Sequence, residues 1–119
     1  MSNNIINIGV VGGGKLGTYH IQKLLKKSNS NLIGIYDSNP IVMENHKKEY
    51  NINIFDNLDS LIKKCNAIII AAPTSKHYEI SKYALKKGVH IFIEKPITNN
   101  LNDAIELISI AEEKNRIIL

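Results

Sequence analysis

The stretch that most limits what this chain can become is Ile8-Gly9-Val10-Val11-Gly12-Gly13-Gly14-Lys15-Leu16-Gly17. An apolar run with strand character ends in three glycines, and a helix-forming run follows directly. Gly12, Gly14 and Gly17 have the G-x-G-x-x-G spacing of a dinucleotide-binding turn. Each has a separate job: Gly12 permits the tight turn, Gly14 lets a pyrophosphate approach the backbone, and Gly17 lets the helix pack close to the strand. The first N–H groups of that helix, around Lys15 and Leu16, have no intrahelical partners and lie at the positive end of its dipole. They suit a diphosphate. Such glycine-rich segments also serve as plain tight turns, so the rest of the chain decides.

The remaining pattern alternates. Strands are expected at Ile5–Val11, Leu32–Tyr36, Asn53–Phe55, Ala67–Ala71, Val89–Ile93 and from Ile117. Helices are expected at Lys15–Lys27, from Pro40 to about Tyr50, at Leu58–Cys65, from Thr74 or Ser75 to Lys87, and at Asn100–Asn115. The turn after the first helix falls in Ser28-Asn29-Ser30-Asn31. Asn39 or Ser38 precedes Pro40 as a helix cap, Thr74 or Ser75 caps the fourth helix, and Gly88 closes it. Leu16, His20, Ile21, Leu24 and Leu25 are expected on the buried side of the first helix. Leu101, Ala104, Ile105, Ile108 and Ala111 are expected on that of the last. Strict β-α alternation predicts an α/β fold, a doubly wound parallel sheet in strand order 3-2-1-4-5-6. Residues 1–119 are expected to form one three-layer Rossmann domain. The chain stops within the sixth strand, so it reads as one domain of a longer protein.

Bulk properties narrow the class. The composition, 44% hydrophobic and 22% charged, is that of an ordinary globular domain. No apolar run is long enough to suggest a membrane span, and Met1-Ser2-Asn3-Asn4 does not open a secretory signal. Cys65 is the only cysteine, which excludes an internal disulfide and fits a reducing cytoplasm. The net charge is +4, but all but one of the 15 basic residues are lysines, Arg116 being the exception. They are scattered, as on solvated helix faces, so no nucleic-acid footprint is read. Nor is a metal site.

Three clusters carry chemistry. Asp37 ends the second strand about 20 residues after Gly17. A carboxylate there accepts hydrogen bonds from an adenosine ribose and repels a 2′-phosphate, selecting NAD over NADP. Lys15 offers some charge to a 2′-phosphate. Ala71-Ala72-Pro73-Thr74, with His77, ends the fourth strand at the topological switch point, where open α/β sheets bind ligands. His77 reads either as a group near the nicotinamide or as a packed helix histidine. Glu94-Lys95-Pro96 ends the fifth strand on the cleft rim. A lysine there holds a substrate hydroxyl and lowers its pKa as hydride leaves the same carbon. The plainer reading is a surface ion pair.

Taken together, Gly12-Gly13-Gly14-Lys15-Leu16-Gly17, Asp37, Ala72-Pro73-Thr74-Ser75-Lys76-His77 and Gly88-Val89-His90-Ile91-Phe92-Ile93-Glu94-Lys95-Pro96 resemble the amino-terminal half of the glucose–fructose oxidoreductase, inositol dehydrogenase and rhizopine catabolism (Gfo/Idh/MocA) family. The resemblance covers the whole chain. It implies NAD(P)-dependent oxidation or reduction of a sugar, cyclitol or nucleotide-sugar hydroxyl. It implies Lys95 as the shared catalytic or cofactor-contacting lysine, Glu94 on the ribose or nicotinamide side, and a cis peptide before Pro96. It further implies a second, substrate-binding domain that this chain lacks, and homo-oligomers of the full-length enzyme. The fragment is therefore expected to bind NAD without turnover. Two alternatives come with it. A regulator of the same family uses the fold as an NAD(P)-sensing switch. A methyltransferase shares the glycines and the acid but leaves Glu94-Lys95-Pro96 unexplained.

Overall fold

The computed structural model describes residues 5–27 and 29–119. Ser28 and Met1–Asn4 lie outside them, and with them part of the first expected turn. The elements run β1 (Ile6–Val11), α1 (Lys15–Leu25), β2 (Ser30–Tyr36), α2 (Pro40–Tyr50), α3 (Leu58–Ile62), β3 (Ala67–Ile70), α4 (Thr74–Lys86), β4 (His90–Ile93) and α5 (Leu101–Lys114). The four strands form one parallel sheet in the order β2-β1-β3-β4. The expected third and sixth strands shrink to single parallel bridges, Ile35 with Ile54 and Ile91 with Ile118. They flank β2 and β4, so the expected order holds, with four full strands in place of six. The outer segments touch the sheet over only about three residues each, too few for a ladder. The backbones of Asn53 and Phe55 bond to Ile35, one through its carbonyl and one through its N–H, and the Asn53 side chain donates to the carbonyl of Ile33.

Helices cover both faces. Val10, Ile21, Ile35 and Ile52 form the smaller core, under α1 and α2. The larger core lies under α3, α4 and α5 and includes Leu61, Ile68, Ile70, Leu85, Ile91 and Leu107. Successive residues of a strand point to opposite faces. Val10 and Val11 accordingly serve different cores, as do Ile68 and Ile69. β3 lies between β1 and β4, as its nearly continuous apolar sequence requires.

Local chemistry explains most helix ends. Asn39, Asn57 and Asn100 cap α2, α3 and α5, their side chains accepting first-turn backbone N–H groups. Asn51, Asn115 and Gly88 follow helices at positive φ. The expected cap of α4 is corrected. Pro73 occupies that position, Thr74 is already helical, and no side chain caps the helix. The proline ring holds the extended approach and leaves no position for a capping hydroxyl.

Two buried stripes are also corrected. On α1, Gly17 and Ile21 are buried, whereas Leu16 and Leu25 are exposed. On α5, Leu107, Ile110 and Ala111 face the core, while Leu101, Ile105 and Ile108 are 75%, 56% and 46% exposed. The α5 sequence holds two apolar stripes at helical spacing, and packing into the larger core beside α4 selects the second. Leu107→Ala should lower the unfolding free energy by about 2–5 kcal/mol, whereas Leu101→Ala should change it by less than about 0.5 kcal/mol, both read by urea denaturation.

Candidate functional site

The glycine turn has three distinct constraints. Gly12 adopts φ of 104°, and a Cβ on it would lie 2.7 Å from the backbone of Ala71. That is both a left-handed conformation and a close approach of two strand ends. A Cβ on Gly17 would overlap the carbonyl oxygen of Gly12. Gly14 differs: a Cβ there would meet nothing within 4 Å. Its missing side chain leaves open space, not packing. The motif treats Gly13 as a free position, yet it is constrained too. A Cβ there would lie 2.5 Å from Cγ1 of Val42.

A cleft of about 740 Å³ opens at the carboxyl ends of β1, β2 and β3. Gly12, Gly13 and Gly14 form one wall, Asp37 and Ser38 another, and Ala72 and Pro73 a third. The cleft thus joins two of the three clusters picked out in the sequence. Leu58, Lys76 and Ile80 also line it, and sequence reading passed over all three. Leu58 and Ile80 carry no functional group that would mark them in the sequence. Lys76 lies between Thr74 and His77, and only the sidedness of α4 turns it toward the cleft.

Asp37 is tied to the turn. Its Oδ2 accepts a hydrogen bond from the N–H of Gly13 at 2.7 Å, and its Oδ1 accepts one from the N–H of Asn39 at 2.8 Å. Each oxygen keeps a lone pair for a further donor. The helices that begin at this cleft, α1 and α4, have no side-chain caps, unlike the other three. Lys15 and Leu16 occupy the exposed first turn of α1.

His77 is buried and fully engaged. Its Nε2 lies 2.9 Å from the carbonyl of Ala72, and its Nδ1 lies 3.0 Å and 3.2 Å from those of Ile97 and Pro96. The ring links the loop after β3 to the loop after β4. This is the packed-histidine side of the two readings. Thr74 is half-buried at the start of α4.

Glu94, Lys95 and Pro96 are exposed, and the Lys95–Pro96 peptide is cis. The described residues hold no ion pair between Glu94 and Lys95. Lys95 and Pro96 line a second, more open hollow of about 630 Å³ with Ile97, Thr98, Asn100 and Leu101. It shares no lining residue with the glycine cleft. The third cluster is therefore brought to the same end of the sheet, but not into the same depression.

Two further titratable groups lie near the sheet. The His20 ring packs edge-on to Phe92, with centroids 5.4 Å apart. Its Nε2 is buried without a partner among the described residues. Burial holds this imidazole below its ordinary pKa, and Glu94 opposes that shift. Burial pushes the Cys65 thiol up to about 11, which removes it as a nucleophile near neutral pH. Among the described residues no helix is long and apolar enough to cross a membrane.

Comparison with known proteins fits this geometry. A model described as "Oxidoreductase family, NAD-binding Rossmann fold" matches residues 6–119. UDP-N-acetylglucosamine 3-dehydrogenase of Acidithiobacillus ferrooxidans is 34% identical over 110 residues, 92% of this chain and 34% of that protein. Its solved structure superposes with a TM-score of 0.89, covering 96% of this chain and 38% of the other. Glucose-6-phosphate 3-dehydrogenase of Bacillus subtilis is 34% identical over 97 residues, 82% of this chain and 28% of that protein. A dehydrogenase from Clostridium difficile is 32% identical with a TM-score of 0.89, over 96% of this chain and 38% of the other. The chain thus spans about a third of the length of the relatives it matches. A glycine turn and acid joined by a hydrogen bond, on a sheet of this order, with a match over nearly every described residue, place the chain in the Gfo/Idh/MocA oxidoreductase family, as its NAD-binding Rossmann domain.

Proposed function

We propose that this chain binds NAD in the glycine cleft and forms the cofactor half of an oxidoreductase. That enzyme moves hydride between nicotinamide and a hydroxyl-bearing carbon of a sugar, cyclitol or nucleotide sugar. The observation that carries the reading is the open space at Gly14, facing a cleft whose opposite wall holds Asp37. A diphosphate fits against the Gly12–Gly14 backbone and the uncapped first turn of α1, at Lys15, Leu16 and Gly17. The Asp37 carboxylate then accepts the ribose hydroxyls and disfavours a 2′-phosphate. Ala72 and Pro73 border the path toward the reactive end, with Thr74 beside them at the start of α4, and His77 fixes the loop that bears the first two.

The bound cofactor supplies the hydride acceptor. This chain's own residues bind and orient it. Glu94 and Pro96 border the nicotinamide side. Lys95, at the exposed end of β4, holds the substrate oxygen and helps its proton leave. The lack of an ion pair with Glu94 leaves the ammonium available for that contact. A second domain supplies most substrate contacts, so the 119-residue chain alone binds cofactor without turnover. The full-length protein is cytoplasmic and homo-oligomeric in this reading. The relatives reported above are named as dehydrogenases, which favours an enzyme over an NAD(P)-sensing regulator.

Three measurements test it. NADH fluorescence should saturate with the parent chain, and Gly14→Ala should weaken binding about tenfold while changing stability by less than about 0.5 kcal/mol. A saturating titration unaffected by Gly14→Ala would remove the turn from the site. Asp37→Ser should cut the preference for NADH over NADPH by about tenfold or more; an unchanged ratio would take the ribose role from Asp37. In a full-length protein carrying both domains, Lys95→Ala should lower kcat about 100-fold or more with little change in NADH affinity. Equal turnover would exclude Lys95 from the chemistry.

A further inference from the structure

Behind the glycine cleft, on the side away from solvent, lies a polar cluster to which the cofactor reading gives no task. Its members are Thr18 on α1 and His46 on α2. His46 is 8% exposed, and its Nδ1 lies 2.9 Å from the carbonyl of Val42. A carbonyl only accepts, so Nδ1 carries a hydrogen and donates it. Its Nε2 lies 3.0 Å from Oγ1 of Thr18. With Nδ1 carrying the ring hydrogen, Nε2 accepts the single hydrogen of that hydroxyl, so the approach of Oγ1 to the Gly13 carbonyl at 3.4 Å is a contact and not a second hydrogen bond. The Gly13 N–H, at the other end of that residue, donates to Asp37.

Gly13 is therefore held from three directions. Asp37 takes its N–H, Thr18 faces its carbonyl, and Val42 and His46 press on the space where a Cβ would be. A second hydrogen bond joins the same two helices, with Nε2 of Gln22 donating to the hydroxyl of Tyr50 at 2.9 Å. α1 begins at the glycine turn, and α2 begins just beyond Asp37. Fixing one helix to the other fixes the turn against the acid.

We infer that Thr18 and His46 are positioning residues that hold the Gly13 peptide so that its N–H aligns the Asp37 carboxylate for the ribose. They touch no cofactor atom themselves. The inference rests on the NAD reading for its consequence, but the geometry it claims exists in the free protein. A buried hydroxyl–imidazole pair that served only packing would tolerate an isosteric apolar replacement in its effect on Asp37. A positioning pair would not, because the hydroxyl's bond to Nε2 fixes the imidazole, whose edge lies against Gly13 and sets where that peptide sits.

The test uses Thr18→Val, which keeps the volume and removes the hydroxyl, and Thr18→Ser, which keeps the hydroxyl. His46→Phe, which keeps a ring and removes both nitrogens, is the second route if Thr18→Val does not fold. Each is made alone and combined with Asp37→Ala. NADH affinity and hydrogen exchange of the Gly13 amide are measured on the 119-residue chain. Thr18→Val and His46→Phe should each weaken NADH binding about five- to tenfold when Asp37 is present and less than about twofold when it is replaced. Gly13 exchange without cofactor should speed up about tenfold, and Thr18→Ser should restore both values. Equal losses with and without Asp37, serine behaving like valine, or unchanged Gly13 exchange would each overturn the inference. A parent chain that binds no NADH overturns the cofactor reading instead, while the Gly13 exchange still decides this one.

Discussion

The contact between Gly17 and the carbonyl of Gly12 is the constraint on which the rest of this structure depends. No side chain fits between them. The first turn of α1 therefore lies against the end of β1, and the N–H of Thr18 bonds to the carbonyl of Gly14 as the helix starts. From that contact follow the position of the α1 axis, the burial of Ile21 under the sheet and the exposure of Leu16. The cleft follows as well. Its floor is the turn, and its breadth is set by how closely β1 and β3 end together, where Gly12 lies against Ala71.

Asp37 joins this turn to the neighbouring strand. One carboxylate oxygen takes the Gly13 N–H and the other takes that of Asn39. An acid at the end of β2 thus organises two backbone segments before any ligand arrives. A preformed arrangement of this kind lowers the ordering cost of binding. His77 performs a similar task further along the sheet, linking the loops after β3 and β4 through three carbonyls. The sequence singles out Asp37 for contact with a ligand and His77 either for that or as a packed histidine; in the structure both shape the backbone at this end of the sheet.

Much of the fold was legible because it rests on local rules. Glycine spacing, alternation of strand and helix signals, the Asn39–Pro40 start and the glycine after α4 all depend on neighbouring residues. The failures share a cause. On α5 two apolar stripes satisfy helical spacing equally, and only packing into the larger core beside α4 chooses Leu107 over Leu101. At α4 the expected hydroxyl cap gave way to Pro73, whose ring fixes the extended approach, while His77 in the helix's own first turn reaches back to the Ala72 carbonyl and across to the loop after β4. Lys76 and Ile80 escaped notice because lining a cleft is a property of two or more elements together.

By itself the sequence determined that a parallel α/β sheet would form, that its first turn would be able to admit a diphosphate, and that an acid would end the next strand. These follow from backbone freedom, hydrophobic period and spacing, which are short-range quantities. Tertiary structure alone decided that Gly13 must also be glycine, that Thr18 and His46 lie behind it, and that Lys95 opens into a separate hollow. Those facts depend on the distance between residues far apart in the chain. That distance is set by packing α1 against α2 and β3 against β4, and no local pattern encodes it.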